Sequence, residues 1–120
     1  MKFLTKIKTI VILLILTSCT NDSPDDLIPV KETQIVTYSN TIKSIIQNNC
    51  VSCHAETPQN GAPMALTSYA LVKDAVLNRG LIDRISREQG DPGMMPNGGT
   101  RLPQAVINQV IQWQNDGLLE

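Results

Sequence analysis

The 120-residue chain is short of aromatic side chains: they make up 3% of it, as one Trp, two Tyr and one Phe, and the Phe sits at position 3. About 100 residues with so few large side chains form a thin core, so something else must supply apolar bulk. Basic charge is not in excess either. A formal charge of −1 gives no cationic footprint for phosphate backbones, which argues against a nucleic-acid partner. The longest wholly apolar run, Ile10 to Leu16, falls far short of the ~20 residues that span a bilayer. No segment alternates apolar and polar residues as a half-buried strand does, and no internal repeat is present. The length allows one domain. Histidine occurs once, as His54.

What is present begins with a leader. Met1 to Lys8 carries three lysines and no acid, Thr9 to Leu16 is almost wholly apolar, and Leu16-Thr17-Ser18-Cys19 ends the stretch on small residues and a cysteine. That order describes a secretory signal peptide. The ending resembles the lipobox of bacterial lipoproteins. The resemblance implies cleavage before Cys19 and lipidation of its sulfur, so residues 1–18 are expected to be a lipoprotein signal peptide. From Cys19 onward seven Lys and Arg face eleven acids, a formal charge of −4, which suits a partner with a basic docking patch. Residues 19–36, with Asn21-Asp22-Ser23-Pro24-Asp25-Asp26 and Pro29, have little to bury and are expected to act as a flexible tether.

Helical spacing starts at Tyr38. Tyr38, Ile42, Ile45 and Ile46 form one apolar stripe, capped by Thr37 or Ser39, and the helix runs into Cys50. A second helix starting near Thr67 or Ser68 carries Leu71, Val72, Ala75 and Val76 and ends at Gly80. A third carries Leu81, Ile82 and Ile85, with Gly90 as its stop. The last has Pro103 at its first position and Gly117 just past its end, with Val106, Ile107, Val110, Ile111 and Trp113 as its apolar face. Two loops rich in Gly and Pro, Ala55 to Ala65 and Gly90 to Arg101, interrupt this pattern. Residues 37–120 therefore predict one all-α domain of three to four helices.

Cys50-Val51-Ser52-Cys53-His54 carries the chemistry. Cys-x-x-Cys-His is the attachment sequence for c-type haem: two thiols at this spacing reach the two vinyl groups on one porphyrin edge, and the histidine follows beneath the iron. The other imidazole nitrogen then needs an acceptor, and a carbonyl near Pro58 or Pro63 is expected to serve. The rivals fit less well. Zinc needs four ligands, and two Cys and one His remain after Cys19. A thioredoxin-like dithiol needs a strand before the motif, where a helix is expected. A Cys50–Cys53 disulfide remains open but leaves His54 unexplained.

A lone histidine excludes bis-histidine ligation within the chain. Haem iron in cytochromes c takes a Met thioether opposite the His, and the candidates are Met64, Met94 and Met95. Met94 and Met95 lie in the second loop, whose glycines let backbone approach a flat ring. Met64 reads as core filling.

The motif, the downstream Met95-Pro96 and the terminal Ile111-Gln112-Trp113-Gln114-Asn115-Asp116-Gly117 together resemble the class I cytochrome c family over about residues 36–118. The resemblance implies the class I fold around one covalent haem c, with the first and last helices crossed. It implies haem bound by Cys50, Cys53, His54 and Met95, the iron ligands being His54 and Met95, and Met94 the alternative to Met95. Trp113 can then touch a haem edge or pack in the core, and Arg84, Arg87 and Arg101 can pair with propionates or stay solvated. The expected function is electron transfer to and from redox partner proteins, without enzyme activity. The expected site of action is the bacterial envelope, on the periplasmic side or as an outer-membrane lipoprotein held to the membrane through Cys19. The alternatives are a haem-based sensor or minor peroxidase-like protein with a labile sixth ligand, and a structural lipoprotein without haem.

Overall fold

A computed structural model describes residues 34–120; the leader, Cys19 and all but the last residues of the tether lie outside the described residues. Thr37 stands in extended backbone, and a capping box forms around it. Its hydroxyl accepts the Asn40 N–H at 3.2 Å, and the Asn40 side-chain oxygen accepts the Thr37 N–H at 2.9 Å. The turn that follows, Tyr38–Ile42, is π-helical, and the chain then tightens into α1, Lys43–Asn49. Tyr38, Ile42, Ile45 and Ile46 are all buried, so the stripe expected from their spacing is continuous across the change of pitch.

Helix α2 spans Tyr69–Asn78, capped by the Ser68 hydroxyl on the Leu71 N–H. Val72, Ala75 and Val76 face the core, but Leu71, expected to join them, is 41% exposed. Gly80 takes the left-handed conformation (φ 67°) and turns the chain into α3, Leu81–Ser86. Helix α3 ends earlier than Gly90. Arg87 is already extended, because the carbonyls of Ser86 and Arg87 are taken by the Arg101 guanidinium at 3.4 and 3.0 Å. Gly90 sits instead in a separate turn, where the Asp91 N–H donates to the Glu88 carbonyl.

Helix α4 spans Gln104–Asn115. Pro103 is its cap rather than its first helical residue: its backbone is still extended (ψ 141°) while its carbonyl accepts the Val106 and Ile107 N–H groups. At the other end Gly117 (φ 89°) closes a Schellman motif, the Leu118 N–H returning to the Trp113 carbonyl at 2.9 Å and the Gly117 N–H to the Gln114 carbonyl at 3.2 Å. Ile107, Val110 and Trp113 are buried, with Val106 and Ile111 partly covered beside them.

The two ends of the domain meet. The Leu119 carbonyl accepts the Tyr38 N–H at 2.9 Å and the Trp113 indole N–H at 2.7 Å. Tyr69 donates to the Leu118 carbonyl, and Tyr38, Tyr69 and Trp113 form an aromatic cluster with ring centroids 5.6 to 6.3 Å apart. Three of the chain's four aromatics are thus concentrated in one place. Helix α4 packs on both the π-helical turn and α3. The described residues contain helices and no strand, and none of these helices is long and apolar enough to cross a membrane.

Candidate cofactor cleft

The turn after α1 is built by the Cys53 and His54 N–H groups, which both donate to the Cys50 carbonyl at 3.1 and 2.9 Å. That brings Cys50, Cys53 and His54 to one cleft of about 530 Å³, within the ~300–1,000 Å³ usual for small-molecule and cofactor sites. The two cysteines are free thiols, so no disulfide joins them. Burial pushes the Cys50 thiol up to about 11.

His54 is buried, and its Nδ1 lies 2.7 Å from the Met64 carbonyl oxygen. A carbonyl only accepts, so Nδ1 carries the proton and Nε2 is left as the donor nitrogen for a metal. The acceptor lies one residue past Pro63, within the region expected to provide it. The loop is pinned a second time by the Leu66 N–H on the His54 carbonyl at 2.9 Å. Asn60, in a left-handed conformation (φ 51°), brings its side-chain amide to 3.5 Å from the Cys53 sulfur.

The second loop separates the paired methionines. Met95, half-buried, lines the cleft together with Pro96. Met94 is 5% exposed and lines a different, smaller space beneath the glycines of its own loop, with Gln89, Gly90 and Asp91. Adjacent residues in extended or turn backbone point to different sides, so only one of the pair reaches the cleft. Met64 lines the cleft as well, beside its packing role.

The cations sort differently from the sequence expectation. Arg84 lines the cleft, while Arg87 and Arg101 do not. Arg87 pairs with Asp83 at 2.7 Å and donates to the Pro92 carbonyl. Arg101 caps the end of α3, as above. Arg79, which no sequence motif marks, is also a cleft residue. It donates to Asp74 at 2.6 Å, and this bond, seconded by Asn78, holds the Asp74 carboxyl below the usual range. The only sequence signal for Arg79 is its place beside Gly80, where α2 stops. Trp113 is fully buried and does not line the cleft.

The donor set fits a haem. Two free thiols, one imidazole with its second nitrogen committed and one thioether share a cleft with Leu66, Leu81, Ile85 and Leu102. Among the described residues no group of three or more His, Cys, Asp and Glu is placed to hold a bare metal ion, short of the four ligands that zinc needs.

The model of the family described as "Cytochrome C oxidase, cbb3-type, subunit III" matches residues 39–113, from the π-helical turn to Trp113. The match includes the Cys-x-x-Cys-His motif and the Met95-Pro96 loop. No curated protein and no solved structure matches this chain.

Proposed function

Because the chain belongs to that family and is a class I c-type cytochrome domain, we propose that it transfers single electrons on one haem c held by Cys50, Cys53, His54 and Met95. The observation that carries this reading is the convergence of those four side chains on one cleft. When bound, the haem supplies a one-electron iron couple. The chain's residues set the conditions for it. Cys50 and Cys53 offer thiols for covalent attachment. His54 offers Nε2, with the Met64 carbonyl fixing the ring's tautomer and orientation. Met95 offers a thioether, which favours the reduced iron and raises the potential. Leu66, Leu81, Ile85 and Leu102 line the site with apolar surface and exclude water. With His54 and Met95 both committed to a bound haem, no substrate would reach its iron, and the domain would act as a carrier rather than an enzyme.

In this proposal the domain works at a membrane. Cys19 takes the lipid, residues 19–36 serve as the tether, and the domain faces the envelope space of a bacterium, where it meets its redox partner proteins. Cys19→Ser is expected to move the protein from the membrane fraction to the soluble fraction without changing its absorption spectrum.

Haem staining after denaturation tests attachment, since only a thioether-linked haem stays with the chain. Oxidised protein is expected to show the thioether-to-iron charge-transfer absorption, and the Met95→Ala variant to lose it. If Met95→Ala keeps that absorption, Met95 is not the ligand. Rapid carbon monoxide binding by the unaltered protein would move the assignment to a sensor with an open sixth site.

A further inference from the structure

We propose that Arg84 is the positioning residue for Met95, holding the sixth-ligand loop at two points and so setting how firmly the thioether is presented to the cleft. The inference rests on the assignment of Met95 above. Arg84 stands in the middle of α3, between Leu81 and Ile85, which are core residues and line the cleft. Its backbone carbonyl accepts the Met95 N–H at 3.0 Å. Its guanidinium donates to the Gly93 carbonyl at 3.2 Å and itself lines the cleft. One residue of a helix thus ties down the ligand residue and the residue two before it.

An exposed arginine is ordinarily solvated and contributes little. Two features separate Arg84 from that case. First, Arg87, just past the end of α3, repeats the arrangement: it donates to the Pro92 carbonyl, so consecutive carbonyls of the loop, Pro92 and Gly93, face two cations, one in α3 and one at its end. Two guanidiniums repel each other, and Asp83 on Arg87 is the one carboxylate pairing them; the aligned carbonyls supply the remaining negative potential. Second, the backbone at Gly93 is shaped to receive them. It has φ 77°, and a Cβ added there would collide with the guanidiniums of both Arg84 and Arg87. The loop passes so close to the arginines that a side chain there would have to push both guanidiniums aside.

The consequence is a loop whose ligand geometry is governed by α3. With the clamp intact, the Met95 thioether is held where a bound iron can use it. Without it, the loop samples positions in which the sixth site is open, and an external ligand competes.

The experiment uses haem-loaded protein and carbon monoxide as the probe. In Arg84→Gln the guanidinium contact is lost. In Gly93→Ala both arginines stay but are displaced from the loop. Both variants are expected to bind carbon monoxide to the reduced form at least about tenfold faster than wild type, the size expected for one charge-assisted hydrogen bond, and to weaken the thioether charge-transfer absorption. Trp113→Phe, which disturbs the core away from the cleft, is the control and is expected to leave both readouts unchanged. Wild-type rates and absorption in both Arg84→Gln and Gly93→Ala overturn the inference, as does an equal opening in Trp113→Phe. If one variant does not fold, the other decides. Met95→Ala separates the two levels: if it fails to open the site, the ligand assignment falls. If it opens the site while Arg84→Gln and Gly93→Ala do not, the assignment stands and the positioning role falls.

Discussion

The Nδ1 of His54 lies 2.7 Å from the carbonyl oxygen of Met64, ten residues further along the chain. The contact is reinforced in the reverse sense by the Leu66 N–H on the His54 carbonyl. The following loop therefore holds His54 at its ring and at its backbone, and leaves Nε2 as the ring nitrogen available to a metal. Met64 contributes its backbone carbonyl here, while its side chain lines the cleft and packs against the core.

Met95 lines the cleft, and its neighbour Met94 does not. Met94 is 5% exposed and does not line the cleft. Met94→Ala is expected to destabilise the domain by about 2–5 kcal/mol, and Met94→Leu by less than about 1.5 kcal/mol, both with the charge-transfer absorption retained. Denaturant titration and absorption spectra of the haem-loaded variants check this. Loss of the absorption in Met94→Leu would move the ligand assignment from Met95 to Met94.

Trp113 is 0% exposed, and its indole N–H donates to the Leu119 carbonyl. Trp113→Phe removes that bond and some volume, at an expected cost of about 1–3 kcal/mol, and Trp113→Ala costs about 3–5 kcal/mol. The Leu119 carbonyl keeps the Tyr38 N–H in either variant, which holds the first cost down. Urea unfolding followed by circular dichroism gives both numbers.

Arg101 donates to the carbonyls of Ser86, Arg87 and Leu102 and to the Gln104 side chain. It closes the end of α3 and joins it to the start of α4. Arg101→Ala strips partners from partly buried carbonyls and is expected to cost about 1–3 kcal/mol. A midpoint unchanged in urea would show that water replaces the guanidinium without loss.

Cys50 offers a pH test in the haem-free chain. Burial holds its thiol at about 11, above the ~8.5 of a free cysteine. At pH 8 its thiolate fraction, and so its alkylation by iodoacetamide, is expected to be roughly two orders of magnitude below that of an unfolded reference. The neutral thiol favours the fold, so its contribution is complete below the unfolded value and is lost as pH rises through about 11. Mass spectrometry of alkylated Cys50 with and without urea measures the ratio; equal rates contradict the burial.

Charge sets the ionic-strength dependence. From Cys19 onward the formal charge is −4, before haem carboxylates are added. Electron exchange with a cationic small-molecule oxidant is expected to slow as salt rises, and exchange with an anionic one to quicken. Stopped-flow rates across salt concentrations show the sign directly.

Local features were legible without the fold. The Thr37 and Ser68 caps, the Gly117 ending and the apolar faces of the first and last helices rest on interactions between residues a few positions apart. Where the reading failed, something distant intervened: α3 stops at Ser86 rather than near Gly90 because Arg101 takes its terminal carbonyls. Leu71 has helical spacing but stands at the exposed edge of α2, since spacing gives the period of a face and not its width.

By itself the sequence determined the attachment motif, since Cys50, Cys53 and His54 meet within one turn. It also determined that the chain has no second histidine to offer a haem, and the helical class of the domain. The tertiary structure decided what depends on the paths of the two loops: Met95 rather than Met94 at the cleft, the Met64 carbonyl on His54, Arg79 and Arg84 at the site, and Trp113 in the core. Those paths run through left-handed turns at Asn60, Gly61, Gly90 and Gly93 and are fixed by contacts between residues far apart in the chain. A local pattern specifies that such a loop turns, while packing against α3 and the core specifies which side chain it turns inward.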